Sequence, residues 1–298
     1  MPEESQLTVI IPAYNEGENL VIILPKLIEY CNQKNWKISI VNDGSIDNSK
    51  EILAKYADVE SFKVIHHKLN RGYGAAIKTG IANCDTEYCI TIDADGQHRF
   101  EDIDKLYASL KSKDADMIVG SRKGIKSASY ARGIGKSIIR RLAKMLMPVP
   151  IHDLNSGMKL YRTKLAQNYI QLAPDTMSFS DIITLIFISN RHLVLEEPII
   201  INPRLKGTST IGMQTAFQTV MEIINVVMLF NPAKIFLPLA LVFMIVGLAV
   251  GLPILLKGHG VSVGSLLGIF AGIIFFLLGL IAEQLSNIRK SISRDEPK

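Results

Sequence analysis

No charged residue occurs between Ile235 and Leu256, and a second uncharged run extends from Gly260 to Ala282. Each is longer than the ~20 apolar residues a helix needs to cross a bilayer core of about 30 Å. Two such runs in tandem, joined by Lys257-Gly258-His259, read as a transmembrane hairpin with helices over 235–256 and 261–283, and not as a helical pair buried in a soluble core. Lys234 precedes the first run and Arg289, Lys290 and Arg294 follow the second, against Lys257 alone in the turn. That asymmetry predicts both termini on the cytoplasmic face. Gly247 and Gly251, then Gly264, Gly268 and Gly272, recur at four-residue spacing. Small residues so spaced predict close helix packing, either within the hairpin or between chains of a homo-oligomer.

The first 210 or so residues follow a different pattern. Runs such as LTVIIP, WKISIVND, FKVIHH, YCITID and ADMIVGS read as buried strands, with helical patterns such as Glu18 to Tyr30 and Ile103 to Lys111 between them. Strands alternating with helices predict an α/β domain whose Rossmann-like, mostly parallel sheet is covered on both faces. The expected organisation is this domain over 1–210, an interfacial amphipathic helix over 211–233, the hairpin over 234–287 and a cytoplasmic tail over 288–298. The N-terminal MPEESQ is polar and acidic and leads directly into a strand, so no cleavable leader is expected. Cys31, Cys84 and Cys89 are odd in number, and Cys89 lies inside an apolar strand. Packing is their predicted role, in preference to a disulfide or metal framework.

In mostly parallel sheets ligands bind beyond the carboxyl ends of the strands. Three predicted strand ends carry polar residues: Tyr14, Asn15 and Glu16 after the first, Asn42 and Asp43 after the second, Asp93 and Asp95 after the fourth. One crevice at one sheet edge would gather them. Pro12-Ala13-Tyr14-Asn15-Glu16 stands where a dinucleotide fold needs Gly-x-Gly-x-x-Gly, which argues against a Rossmann dehydrogenase. Asn42 to Ser45 also fits an ordinary turn with a helix cap, and Asn70 to Gly74 a loop whose glycines take positive φ. Asp93 and Asp95 are harder to explain that way. Alternate residues at a strand end face one side, and two like charges held close repel unless a cation sits between them. A hard ion such as Mg²⁺ or Mn²⁺ takes oxygen ligands and is usually shared with a substrate's phosphates.

The series IIPAYNE, VNDGS, NRGYGAAIKTG, DADGQH, GSR and DLNSGMKLYR, in that order over roughly Leu7 to Ser209, resembles the family 2 glycosyltransferases of GT-A fold. Within them it is similar to the polyprenyl-phosphate sugar synthases related to dolichyl-phosphate mannose synthase. With its hairpin the chain also resembles the bactoprenyl-phosphate glycosyltransferases, which carry two C-terminal spans. The resemblance implies a nucleotide sugar, UDP- or GDP-linked, as donor, a polyprenyl phosphate as acceptor, and Mg²⁺ or Mn²⁺ as cofactor. It implies Asp93 and Asp95 as metal ligands, with Asp95 essential to turnover and Gln97 where some relatives supply a third ligand. It puts Pro12, Tyr14 and Glu16 around the nucleotide and Asp43 on its base or ribose. His98 receives no role and is expected to face solvent or pack a loop. The Gln-x-x-Arg-Trp motif of processive relatives is absent, since the only tryptophan is Trp36, so polymerisation is not expected. Many inverting relatives supply a general base from a Glu-Asp pair. This sequence has Phe179-Ser180-Asp181 there, and Asp181 is expected to be structural.

A phosphate acceptor needs no base. Its second pKa lies near 6, as for a phosphorylated side chain, so it is already largely dianionic at neutral pH and only has to be held in line. The cations expected to hold it are Arg122 of GSR, Arg132 and Arg140 of the following basic run, and Arg204 of INPRLKGTS, which resembles the family's Arg-x-x-Gly-x-Ser loop. Arg122 and Arg204 are the expected catalytic cations. Ser156 is expected to hydrogen-bond the acceptor and Asp153 to orient an arginine. Eight basic residues and no acidic one lie between Arg122 and Lys144. They alternate with Ile134, Ile138, Ile139, Leu142, Met145 and Leu146 at helical spacing, which suits an anionic lipid surface better than nucleic acid. Thr215 to Leu229 reads as a second interfacial helix. A different membrane-lipid acceptor and a non-catalytic membrane scaffold are the competing readings. Two repelling carboxylates at a strand edge count against the scaffold.

Overall fold

A computed structural model describes residues 5–122, 150–202 and 231–292, with Met221, Ile224, Val227 and Met228 between them. The chain forms two compact units, an α/β unit and a C-terminal helical unit. Apart from Arg122, the basic run expected to form a helix lies outside the described residues, and of the interfacial helix expected over 215–229 only Met221, Ile224, Val227 and Met228 are described.

In the α/β unit, β1 (Leu7–Ala13), α1 (Gly17–Gln33), β2 (Lys37–Asn42), α2 (Ser49–Ala54), β3 (Phe62–His66), α3 (Tyr73–Ala82), β4 (Tyr88–Thr91), α4 (Phe100–Lys113) and β5 (Met117–Ser121) alternate as expected. β6 (Lys159–Arg162), α5 (Thr163–Tyr169), α6 (Phe179–Ser189) and β7 (Val194–Pro198) follow. The strand order is β3-β2-β1-β4-β6-β5-β7. β6 runs antiparallel to β4 and β5, and the other neighbours pair in parallel. β1 is buried at all seven positions, which explains its unbroken apolar sequence. On α1, Leu20, Leu24, Leu27, Ile28 and Cys31 recur every three or four residues and share one core cluster with Leu7, Val9 and Ile11. Cys31, Cys84 and Cys89 are free and buried.

Two strands were not anticipated. β7 is an edge strand with Glu196 and Glu197 at its centre and Pro198 at its end, so it lacks an apolar run. β6 has only four residues, and its first, Lys159, is fully buried. The Lys159 ammonium donates to the carbonyl of Leu154 at 2.7 Å and to that of Ser180, joining the loop before β6 to the first turn of α6. Burial pulls this lysine down to about 7, against the attraction of Asp181 and Asp153 and with the repulsion of Arg122.

The helical unit consists of α7 (Ala233–Leu256) and α8 (Val263–Ile292), joined by a turn in which Gly258 and Gly260 take φ of +75° and +77°. Within Ala233–Leu256 and Val263–Ile288, 18-residue windows reach mean hydropathies of 2.8 and 2.6. α8 continues past the end expected near residue 283. The glycine spacing is used inside the hairpin. A Cβ on Gly268 would meet the Gly247 Cα at 3.2 Å, and one on Gly272 would meet the Ala240 carbonyl at 2.9 Å. The two backbones approach as small-residue packing allows, leaving most of the long apolar side chains outward.

The buried Lys159 makes stability depend on pH. Between pH 7 and about 10 the folded lysine is neutral while the unfolded one is charged, so the unfolded chain binds more protons and raising the pH favours the fold. Relative to Lys159→Met, the unfolding free energy of the wild-type protein should rise across this window, by at most about 1.4 kcal/mol per pH unit. Denaturant melts of both proteins in detergent at stepped pH measure the difference. Parallel curves would show that Lys159 keeps its proton.

Candidate active site

The strand order places a topological switch point between β1 and β4, since the chain leaves β1 toward β2 on one side and returns to β4 on the other. Ligands of open α/β sheets bind at such points. The loops after β1, β2 and β4 meet at this edge. Asn15 adopts a left-handed φ of 55°, which asparagine tolerates. Its backbone N–H donates to Ser45 Oγ at 2.9 Å, and its side-chain oxygen accepts from the Ile46 N–H at 2.9 Å. Gly17 N–H, at the start of α1, donates to Asp47 Oδ2 at 3.0 Å. The first two loops are therefore one tied structure. It leaves Tyr14 43% exposed and sets Glu16 before α1, where Glu16 Oε2 accepts from Asn19 at 2.6 Å. Pro12 lies inside β1, buried beside Val41.

Asp43 was expected on the nucleotide's base or ribose. Its buried carboxylate instead accepts from His67 Nδ1 at 2.6 Å and from the N–H groups of Arg71 and Gly72 at 2.9 and 2.8 Å. Both oxygens have partners within the protein, and these bonds shape the loop before α3. Gly72 in that loop has φ +102°, and a Cβ there would lie 2.5 Å from the Asp175 carbonyl. Only glycine fits both conditions.

Asp93 and Asp95 also depart from the strand-based expectation. β4 ends at Thr91, so the two aspartates sit in a turn around Gly96, at φ +74°, and strand alternation does not set their directions. Asp95 is 4% exposed and accepts from the Gln97 N–H at 3.1 Å. Asp93 is more open. Its Oδ1 accepts from the Tyr73 hydroxyl at 2.9 Å, and its Oδ2 faces His98 Nε2 at 3.4 Å. Burial raises the Asp93 carboxyl, but His98, Tyr73 and Arg122 outweigh it and hold the group below its ordinary range. His98 is buried and packs the loop, as one of its two expected places had it, and it also touches Asp93. The Gln97 amide reaches the Asn202 carbonyl at 3.4 Å.

Among the described residues no three of His, Cys, Asp and Glu gather into a metal cage. The donor set suits a different kind of site. Mg²⁺ and Mn²⁺ bind through one or two carboxylates and take their other oxygens from phosphates and water. Asp93 and Asp95, both oxygen donors at the ligand-binding edge, fit that chemistry.

Arg122 follows β5 and is committed. Its Nε and Nη2 donate to the two Asp153 oxygens at 2.7 and 2.8 Å, its backbone N–H adds a third bond at 3.0 Å, and Nη2 also reaches the Asn155 carbonyl at 2.9 Å. This bidentate pair raises the arginine and outweighs burial to hold Asp153 below the usual carboxylate range. Arg122 thus braces the 153–157 loop, with Asp153 orienting the arginine. Ser156 is fully buried, with its hydroxyl at 3.3 Å from the Met158 N–H. Arg132, Arg140 and Arg204 lie outside the described residues.

Sequence reasoning missed three contributors. Tyr73 and Lys159 resembled ordinary helix and loop residues, and Gly157 belonged to a turn. A Cβ on Gly157 would sit 2.4 Å from Asp93 Oδ2, so glycine is what lets the 153–157 loop close against the aspartate. Thr91 Oγ1 pins that approach from β4 by donating to the Gly157 carbonyl at 2.8 Å.

Comparison with known proteins agrees with this geometry. The chain is 31% identical over 171 residues to undecaprenyl-phosphate 4-deoxy-4-formamido-L-arabinose transferase of Proteus mirabilis, covering 56% of this chain and 52% of that protein. It is 28% identical over 225 residues to dolichyl-phosphate beta-glucosyltransferase of Saccharomyces cerevisiae, covering 66% and 67%. The chain spans about half the length of several such relatives. Its fold is similar to that of Mycobacterium tuberculosis glucosyl-3-phosphoglycerate synthase solved with Mn²⁺, UDP-glucose and phosphoglyceric acid. There the TM-score is 0.57 at 13% identity, over 75% of this chain and 80% of that one. Residues 231–288 match the family described as the GtrB C-terminal hairpin. Residues 8–170, more than half of the chain, match the family described as glycosyl transferase family 2, and to that family the chain belongs.

Proposed function

We propose that this chain transfers a sugar from a nucleotide sugar, UDP- or GDP-linked, to a polyprenyl phosphate, inverting the anomeric carbon, on the cytoplasmic face of a membrane. The observation that carries the reading is Asp93 and Asp95 at the β1/β4 switch point of a chain whose other unit is a pair of span-length helices. The relatives' names support the acceptor class, pairing a sugar with undecaprenyl phosphate in one case and dolichyl phosphate in the other.

Asp93 and Asp95, with Gln97 beside them, would hold Mg²⁺ or Mn²⁺ against the diphosphate. A bound cation there supplies charge stabilisation for the departing nucleoside diphosphate. The protein's part is orientation. Asp43 holds the loop leading into α3, the Asn15–Ser45 tie sets the Tyr14 and Glu16 turn beside it, and the Arg122–Asp153 pair holds the loop that closes on Asp93. Asp181 is a poor candidate for a base, because it is buried in the first turn of α6 and its charge acts on Lys159 and Arg122. A phosphate acceptor needs no base. Arg122, Arg132, Arg140 and Arg204 stay proposed as the cations that meet it.

Asp95→Asn should abolish sugar transfer while leaving the melting temperature within a few degrees of wild type, and excess EDTA should mimic it reversibly. Assays of purified protein with a panel of nucleotide sugars and a polyprenyl phosphate read both effects, and full activity in EDTA would remove the cation from the reading. Loss of a general base costs about 10²–10⁴-fold. Asp181→Asn should therefore lose less than about ten-fold, and the free polyprenol should not be glycosylated. Efficient use of the alcohol together with an inactive Asp181→Asn would point to a base and a different acceptor. For the membrane face, a cysteine placed at Gly258 in a cysteine-free background should react with an impermeant thiol reagent from outside intact cells. One at Ser293 should not, and the reverse pattern would invert the orientation.

A further inference from the structure

α3 begins at Tyr73, the residue through which three parts of the crevice touch. Its backbone is set on one side by Asp43, which binds the N–H of the preceding Gly72 at 2.8 Å. On another side the segment before α6 is fastened to the same turn. The Ala75 N–H donates to the Asp175 carbonyl at 3.2 Å, and Lys78 pairs with the Asp175 carboxylate at 2.7 Å. The Tyr73 hydroxyl then reaches Asp93 Oδ1 at 2.9 Å. The other side-chain donor to Asp93, His98, stands at 3.4 Å, the outer limit of a hydrogen bond. Gly157 offers no side chain, and its backbone fills the space against Oδ2.

We propose that Tyr73 is a positioning residue for the cation: its hydroxyl fixes the Asp93 carboxylate in the rotamer that receives the ion, and the Asp175 contacts with the same turn couple that rotamer to the segment before α6. The inference rests on the cation-dependent reading given above. Groups that orient a metal's ligands are worth about 10–100-fold in metal affinity. A tyrosine at this place ties the donor side of the crevice, through Asp43, to the segment at 175–180 on its other side. A rearrangement of either loop then changes how Asp93 is presented.

Tyr73→Phe keeps the buried ring and removes only the hydroxyl. Mn²⁺ binding to the full-length protein in detergent, read as free Mn²⁺ by electron paramagnetic resonance with UDP or GDP present in separate titrations, should weaken about ten-fold or more. The melting temperature should stay within a few degrees of wild type. Lys78→Met, which leaves Tyr73 in place and removes only the Lys78–Asp175 pair, should weaken Mn²⁺ binding by a smaller factor. Unchanged Mn²⁺ affinity in both variants would overturn the proposal while leaving the cation reading intact. A lowered melting temperature with unchanged affinity would likewise show Tyr73 to be a packing residue. Failure of the wild-type protein to bind Mn²⁺ with either nucleotide would overturn the cation reading and this inference with it.

Discussion

The Asp43 carboxylate, almost fully buried beyond the end of β2, accepts from His67 and from two consecutive backbone N–H groups at 71 and 72. A buried carboxylate is expensive unless its oxygens are satisfied, and here the polypeptide that satisfies them is the loop leading into α3. The His67 ring is held in turn by Thr79, one face of α3, at 2.9 Å. The start and the body of α3 are thus referred to a single anion at the sheet edge. From that start the Tyr73 hydroxyl meets Asp93, and the Asp175 carbonyl fills the space that a side chain at Gly72 would need. The fold could tolerate other ways of ending β2. The crevice could not, because three loops take their positions from this helix terminus.

Charge pairing decides which side chains around the crevice remain available for chemistry. Asp153 is used up by Arg122 in a bidentate pair, and Lys159 sits between the carbonyls of Leu154 and Ser180 with Asp181 and Asp153 as its attracting anions. The Arg122–Asp153 pair is matched within the protein, so removing either partner leaves the other's charge without its counterion. Asp93 is balanced differently. It has hydrogen-bond donors but no ion pair of the Arg122 type, and it is a third exposed where Asp153 is largely covered. A carboxylate that is oriented but not neutralised is suited to an added cation.

The fold was legible where burial is expressed as apolar sequence. β1 to β5 stand within two residues of the runs that suggested them; β1, β2, β4 and β5 are buried almost throughout and read as mainly apolar stretches, while the edge strand β3 is covered only in part. β6 and β7 were hidden for opposite reasons: a buried strand carries a lysine whose head finds two carbonyls, and an edge strand carries two glutamates, of which Glu196 accepts from the N–H groups of His152 and Asp153. Tertiary partners make these charges tolerable, and no local pattern shows the partners. At the site the same division holds. The aspartates at strand ends could be found because carboxylates beyond a β-strand are conspicuous. The commitments of Asp43, Arg122 and Ser156 could not, since each depends on a residue about thirty positions away or on burial that a loop sequence does not announce.

The hairpin resolves its own packing, and that bears on what it can contribute. Gly247 and Gly251 on α7, with Ser265, Gly268 and Gly272 on α8, are consumed in bringing two backbones together, so the small residues that would let another helix approach closely already face inward. What remains outward is long and apolar: Leu241, Val242, Ile245, Leu267, Ile274 and Leu277, among others, are at least half or nearly half exposed. Side chains of this kind are matched to acyl chains, and the exposed polar residues described on α8, Gln284 and Asn287, lie near its C-terminal end. For the proposed acceptor an anchor is sufficient. A polyprenyl phosphate keeps its chain in the bilayer and its reacting oxygen at the surface. Tethering the α/β unit to the same surface raises the effective concentration of the two reactants without any contact from the spans. On this reading the specificity for sugar and nucleotide is carried by the loops after β1, β2 and β4, which the anchor does not need to know about.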